Sequence, residues 1–169
     1  MYYPSDVSTP ATTRVQFAHG LESSPQGNKA VLLAREFVAE TPAMNTRDFE
    51  SCVAMHAGTL ARFRPDVLIG SSFGGAVAVA LLERSLWRGP TLLLAQAAVL
   101  YRSSARLPEH VRVILVHAVQ DTVVPVEQSR QLARTGTAGL VELIECTDDH
   151  ALTQLVNSGR LLDLIKRLA

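Results

Sequence analysis

Three short segments of the chain are apolar without interruption: VLIG over Val67–Gly70, TLLLA over Thr91–Ala95 and RVILVHA over Arg112–Ala118. A strand with one face in water alternates apolar and polar residues. Continuous apolar runs of this length therefore predict strands buried on both faces, and so a parallel sheet covered by helices. The rest of the chain supplies the covering. A short β-rich run, RVQFA, spans Arg14–Ala18. Ser24-Pro25 reads as a helix start, with serine as cap and proline in the first turn, and the helix is expected to continue through KAVLLAREFVAE to Glu40. A weak strand is expected near 41–45, then a helix over 48–63 and another over 74–87. The stretch 96–110 shows no period. A helix over 126–134, a strand over 139–145 and a last helix over 152–168 complete the alternation. The expected fold class is α/β, a three-layer α/β/α sandwich around a mostly parallel sheet of about six strands. Residues 1–13 read as a loose arm and 14–169 as one domain.

At 169 residues the chain can bury a real core, and its 47% hydrophobic and 19% charged content fits a globular protein. Its 16 basic residues cancel its 16 acidic ones, so charge supplies no reason to expect a nucleic acid or an anionic membrane surface as partner. The N-terminal residues carry no basic-then-apolar leader, and no apolar run is long enough to span a bilayer. A cytoplasmic setting is the expectation, with Cys52 and Cys146 as inert reduced thiols. No metal and no cofactor is expected.

In an open α/β sheet the reactive groups gather at the carboxyl ends of the strands. Four such ends stand out here: His19-Gly20 after RVQFA, Gly70-Ser71-Ser72-Phe73-Gly74 after VLI, Asp121 after RVILVHA, and His150 after GLVELIE. The pattern G-x-S-x-G between a strand and a helix forces a sharp turn that pushes the serine hydroxyl into the open. Gly70 and Gly74 supply the small flanks that such a turn needs. The amide of Phe73 opens the following helix, lacks an intrahelical acceptor and can donate to an anion beside Ser72. A serine hydroxyl needs a base, and the base needs a carboxylate to orient it. His150 is the natural base and Asp121 the natural acid. A second oxyanion donor is expected from the loop after the first strand, at the amide of Leu21.

The segments HGLESSPQGNKA, IGSSFGG, HAVQDTVVP and DDHAL together resemble the α/β-hydrolase fold, specifically its small, cap-poor bacterial esterases of the YqiA-like kind. The resemblance runs from about Phe17 to Leu152. It implies Ser72 as nucleophile, Asp121 as acid, His150 as base, and the amides of Leu21 and Phe73 as oxyanion donors. His19 and Gly20 would support the oxyanion loop. Two departures stand out. The acid segment has Ala118 where the family commonly has glycine, and too few residues precede RVQFA for the leading antiparallel strands of the full fold.

Other readings of single residues compete. Ser71 sits one place before the centre of the elbow and reads as structural. Asp148 and Asp149 compete with Asp121 for the acid role, but neighbours in sequence are poorly placed behind the same imidazole. His117 reads as a satisfied core histidine, and His56 and His110 as surface residues. Ser23, Ser24 and Asn28 are candidates to line the site or order the oxyanion loop. Residues Gln96–His110 occupy the position of a lid insertion but are too few for one. A rim is expected from them, with Val99, Leu100, Tyr101 and Leu107 as its apolar members. The implied activity is cleavage of a small acyl ester or thioester. Amide or peptide cleavage, and a binding protein without turnover, are the alternatives.

Overall fold

The computed structural model describes residues 12–169, so all but the last two residues of the expected N-terminal arm lie outside the described residues. Six strands form one all-parallel sheet in the order β2-β1-β3-β4-β5-β6. They are β1 (Arg14–Ala18), β2 (Val38–Glu40), β3 (Val67–Ser71), β4 (Thr91–Leu94), β5 (Val113–Ala118) and β6 (Val141–Cys146). Seven helices connect or follow them: α1 (Asn28–Glu36), α2 (Phe49–Phe63), α3 (Phe73–Glu83), α4 (Ala98–Tyr101), α5 (Val126–Ala133), α6 (Thr153–Asn157) and α7 (Arg160–Leu168). None of them is long and apolar enough to cross a membrane.

Uninterrupted apolar strands have partners on both faces, as their composition requires. Leu68, Leu93, Val113 and Leu115 pack with α2, α3 and Leu132 of α5. Val67, Ile69, Leu92, Leu94, Ile114 and Val116 pack against α1, α6 and α7 on the other face. The central helix α3 is buried at every position from Phe73 to Leu82, which explains its run of small and aliphatic residues. α1 carries the chain outward to the β2 edge, and α2 carries it back past β1 to β3. The strand order therefore reverses between β1 and β3, which is where open α/β sheets leave a crevice at their carboxyl ends.

Several boundaries differ from the sequence expectations. Ser24 does not cap α1. Its hydroxyl accepts the amide of Gln26 at 3.1 Å and the amide of Gly27 closes on its carbonyl at 3.0 Å, so Ser24-Pro25 form a turn and the helix begins at Asn28. α1 also ends at Glu36, because Val38 joins the sheet edge by donating to Thr13 at 3.1 Å, and β2 precedes residues 41–45. The last helix is two helices, parted at Ser158-Gly159, where Gly159 takes φ +78°. Both cysteines are free, Cys52 buried and Cys146 half-buried.

His110 is exposed as expected, but His56 is not a surface residue; it is fully buried on α2. The side-chain amide of Gln16 in β1 donates to its Nδ1 at 2.9 Å and to its carbonyl at 3.1 Å. A β1 glutamine beneath the helix thus makes a polar slot that the helical pattern alone does not reveal. Burial pulls the His56 imidazole down to about 4, with the nearby His19 adding to the effect. This folded-state value lies below the unfolded one. The unfolded chain therefore binds the extra proton between the two values, and stability falls as pH drops from 6.5 toward 4. The loss assignable to this group is expected to reach about 3 kcal/mol. Urea unfolding at pH 7 and pH 4 should show that much smaller an acid loss in His56→Gln than in the unsubstituted protein.

Candidate active site

The crevice between β1 and β3 holds the elbow. Ser72 links β3 directly to α3 and adopts φ 52° and ψ −115°, a conformation that residues with a side chain rarely take. Its backbone is held on all sides. The amide donates to Leu94 at 2.9 Å, and the carbonyl accepts from Gly75 at 2.9 Å, Ala97 at 3.1 Å and Ala76 at 3.2 Å. Such over-determination is what lets a strained turn persist. The glycines make room for it. A Cβ on Gly70 would stand 2.5 Å from the carbonyl oxygen of Gly74, and one on Gly74 only 1.9 Å from that of Ala18. Gly20 is different, since a Cβ there would meet Ser72 Cβ at an ordinary 3.6 Å. That distance puts the β1 loop beside the elbow.

His19 is buried beneath the same loop. Its Nδ1–H donates to the Gly20 carbonyl at 2.8 Å, which also accepts from Ser23 at 3.3 Å. The loop that presents Leu21 is thereby tied down. The amides of Leu21 and Phe73 meet no acceptor among the described residues.

Ser72, Asp121 and His150 come together although 29 and 78 residues separate His150 from its two partners. His150 Nδ1 lies 2.7 Å from Asp121 Oδ2, and its Nε2 lies 3.0 Å from Ser72 Oγ. A carboxylate only accepts, so Nδ1 carries the proton and Nε2 is free to accept from the Ser72 hydroxyl. The remaining oxygen of Asp121 accepts the amides of Val123 and Val124, each at 2.8 Å. Burial pushes the Asp121 carboxyl up, but the bonds from His150, Val124 and Val123 outweigh it and hold the group below the usual carboxylate range.

His117 stands behind Asp121, fully buried, with Nε2 3.2 Å from Oδ2. Its ring nitrogens are otherwise occupied: Nε2–H donates to the Val124 carbonyl at 2.8 Å, and Nδ1 lies 2.7 Å from Ser129 Oγ. Burial pulls its imidazole below the ordinary histidine range. A neutral His117 leaves the charge of Asp121 to His150. Ala118 ends β5 without a positive φ, so the turn to Asp121 forms without a glycine.

The competing acids are engaged elsewhere. Asp148 accepts the amides of Asp149, Gln154 and Leu155 at 2.8, 3.1 and 2.9 Å, and Asp149 accepts the amide and hydroxyl of Thr153 at 3.0 and 2.7 Å. Both serve the start of α6. Ser71 is a buried strand residue.

A cavity of about 1050 Å³ opens beside Ser72 and His150, lined among others by Leu21, Ser23, Asn28, Lys29, Val123 and Asn157. The expected rim from Gln96–His110 contributes nothing to it. Val99 and Leu107 are core residues, and Tyr101 lines a separate cavity of about 560 Å³ with Phe49, between α2, α3 and α4. The cause is Gln96, buried after β4. Its amide donates to Ser129 Oγ at 3.0 Å and its carbonyl accepts from Ala98 at 2.7 Å, which folds the segment down against α3. Lys29 lines the cavity without a role having been assigned to it from sequence; its place two residues into α1, next to the β1 loop, is the only local sign. Among the described residues no three His, Cys, Asp or Glu side chains converge as a metal would require.

No protein-family model matches the sequence, and no curated protein does. Solved structures do match. The monoacylglycerol lipase of Paleococcus ferrophilus superposes with a TM-score of 0.73 at 12% identity, covering 94% of this chain and 97% of its own. The mouse alpha/beta hydrolase domain-containing protein 10 gives 0.72 at 17% identity, covering 95% and 92%. The esterase domain of a Rhodothermus marinus protein gives 0.64 at 19% identity, covering 92% and 86%. The sheet order, the strand-to-helix elbow and these superpositions agree: the chain has the α/β-hydrolase fold, in a minimal form with six parallel strands.

Proposed function

We propose that the protein is a serine hydrolase that cleaves small carboxylic esters, or thioesters, in a cytoplasmic setting. The observation that carries this reading is the unbroken line from Ser72 Oγ through His150 to Asp121, with bonds of 3.0 and 2.7 Å. In this mechanism His150 Nε2 takes the Ser72 proton as Oγ attacks the acyl carbon. The developing oxyanion is bound by the amides of Phe73 and Leu21. His150 then returns the proton to the leaving alcohol or thiol. Asp121 holds the imidazolium throughout. Water, activated by His150, releases the acid from the acyl-serine. Among the described residues no segment corresponding to a lid lines the cavity, which favours short acyl groups over long chains. The structural neighbours that are named as a lipase and an esterase domain support an ester in preference to an amide.

A fluorophosphonate probe tests the nucleophile directly. Peptide mass mapping is expected to find the adduct on Ser72, and none after Ser72→Ala or when His150 is replaced by alanine. A folded protein that never labels would favour a binding role instead of turnover.

A further inference from the structure

Lys29 sits at the start of α1 with its side chain half-buried in the wall of the cavity that holds Ser72 and His150. Its ammonium donates one hydrogen bond, 2.6 Å to the carbonyl of Ala151, the residue after His150. An ammonium has three donors, so two protons are left over. Asp148 and Asp149 are the carboxylates whose charge reaches it, but both are committed to the amides and hydroxyl at the start of α6. Among the described residues it forms no ion pair. Burial pulls the group below the ordinary lysine range against the opposing effect of Asp149 and Asp148, which means that water no longer solvates it fully. Among the described residues no other Lys or Arg lines this cavity, and the acidic residue in its lining, Glu22, is exposed. Asn28, Thr153 and Asn157 add neutral polar groups to the lining.

A partly dehydrated cation with unused donors gains most from an anion that arrives in the same cavity, because the charge-assisted bond restores what hydration lost. We propose that Lys29 is a specificity-determining residue that pairs with a free carboxylate on the ester, making monoesters of dicarboxylic acids, and esters of hydroxy acids, the preferred substrate class. The turnover part rests on the Ser72 hydrolase reading; the binding part does not.

Two measurements separate them. In the Ser72→Ala background, calorimetric titration with monomethyl succinate and with O-acetylglycolate is expected to give saturable binding for at least one of them. That binding should weaken about tenfold or more on adding Lys29→Met and survive Lys29→Arg. With Ser72 intact, the ratio of kcat/KM for mono-p-nitrophenyl succinate to that for p-nitrophenyl butyrate should fall by a similar factor in Lys29→Met, mostly through KM. Equal losses on the two esters would make Lys29 only a strut for the His150 loop and overturn the proposal, as would binding of neither anion or binding indifferent to Lys29. Lys29-dependent binding with no turnover of either ester would instead sink the hydrolase reading and leave the carboxylate site standing.

Discussion

Asp121→Asn is expected to lower kcat for p-nitrophenyl butyrate by about 10⁴-fold, one to two orders of magnitude less than Ser72→Ala. The reason lies in how Asp121 is held. One of its oxygens already accepts the amides of Val123 and Val124. An asparagine must keep its single oxygen there, which turns its NH₂ toward His150 Nδ1. The imidazole then has to accept at Nδ1, so its proton moves to Nε2, facing Ser72. The base is lost while the fold and cavity stay intact. Asp149→Asn, whose side chain bonds Thr153 and does not reach the His150 ring, should cost less than about tenfold in kcat. The comparison is made by steady-state kinetics on purified variants of matched thermal stability. If Asp149→Asn loses as much as Asp121→Asn, the acid has been assigned to the wrong residue.

Gly74→Ala is expected to cost about 4 kcal/mol or more, or to prevent folding. The new Cβ would lie 1.9 Å from the Ala18 carbonyl oxygen and 2.6 Å from that of His19. Both are backbone atoms between the sheet and the oxyanion loop, and neither can swing aside as a side chain could. Relief requires α3 to lift from β1, which opens the most buried helix of the molecule. Two controls bound the effect. Gly20→Ala places its Cβ at ordinary contact distance, 3.6 Å from its nearest neighbours, and should change stability by less than about 1 kcal/mol. Gly58→Ala, in the exposed interior of α2 with nothing within 4 Å, should raise stability by about 0.5–1 kcal/mol. Denaturant unfolding monitored by circular dichroism checks all three. A Gly74→Ala protein as stable as Gly20→Ala would mean that α3 does not approach β1 so closely.

Much of this molecule is legible from local pattern. Continuous apolar runs are solvent-free on both faces whatever their neighbours, so β3, β4 and β5 and the parallel sheet follow from composition over five or six residues. The elbow is legible for the same reason, because its glycines and its serine are neighbours in the chain and the strain is local. The order Ser…Asp…His along strand ends is legible because topology places all carboxyl ends on one edge.

What the tertiary structure alone decided concerns contacts between distant segments. Three aspartates lie within reach of His150 by sequence reasoning, and only the long-range packing of the β5 loop against the β6 loop brings Asp121 to Nδ1 while the start of α6 takes Asp148 and Asp149. His56 is buried because Gln16, 40 residues away, offers it a polar partner beneath α2. Residues Gln96–His110 fold away from the cavity because one glutamine side chain finds Ser129 on another helix. Lys29 reaches the cavity because its ammonium meets the Ala151 carbonyl 122 residues further on. A sequence window sees the backbone preferences and the burial of each segment. The partner of a polar side chain is set by where another segment ends, and that is settled only when the sheet closes.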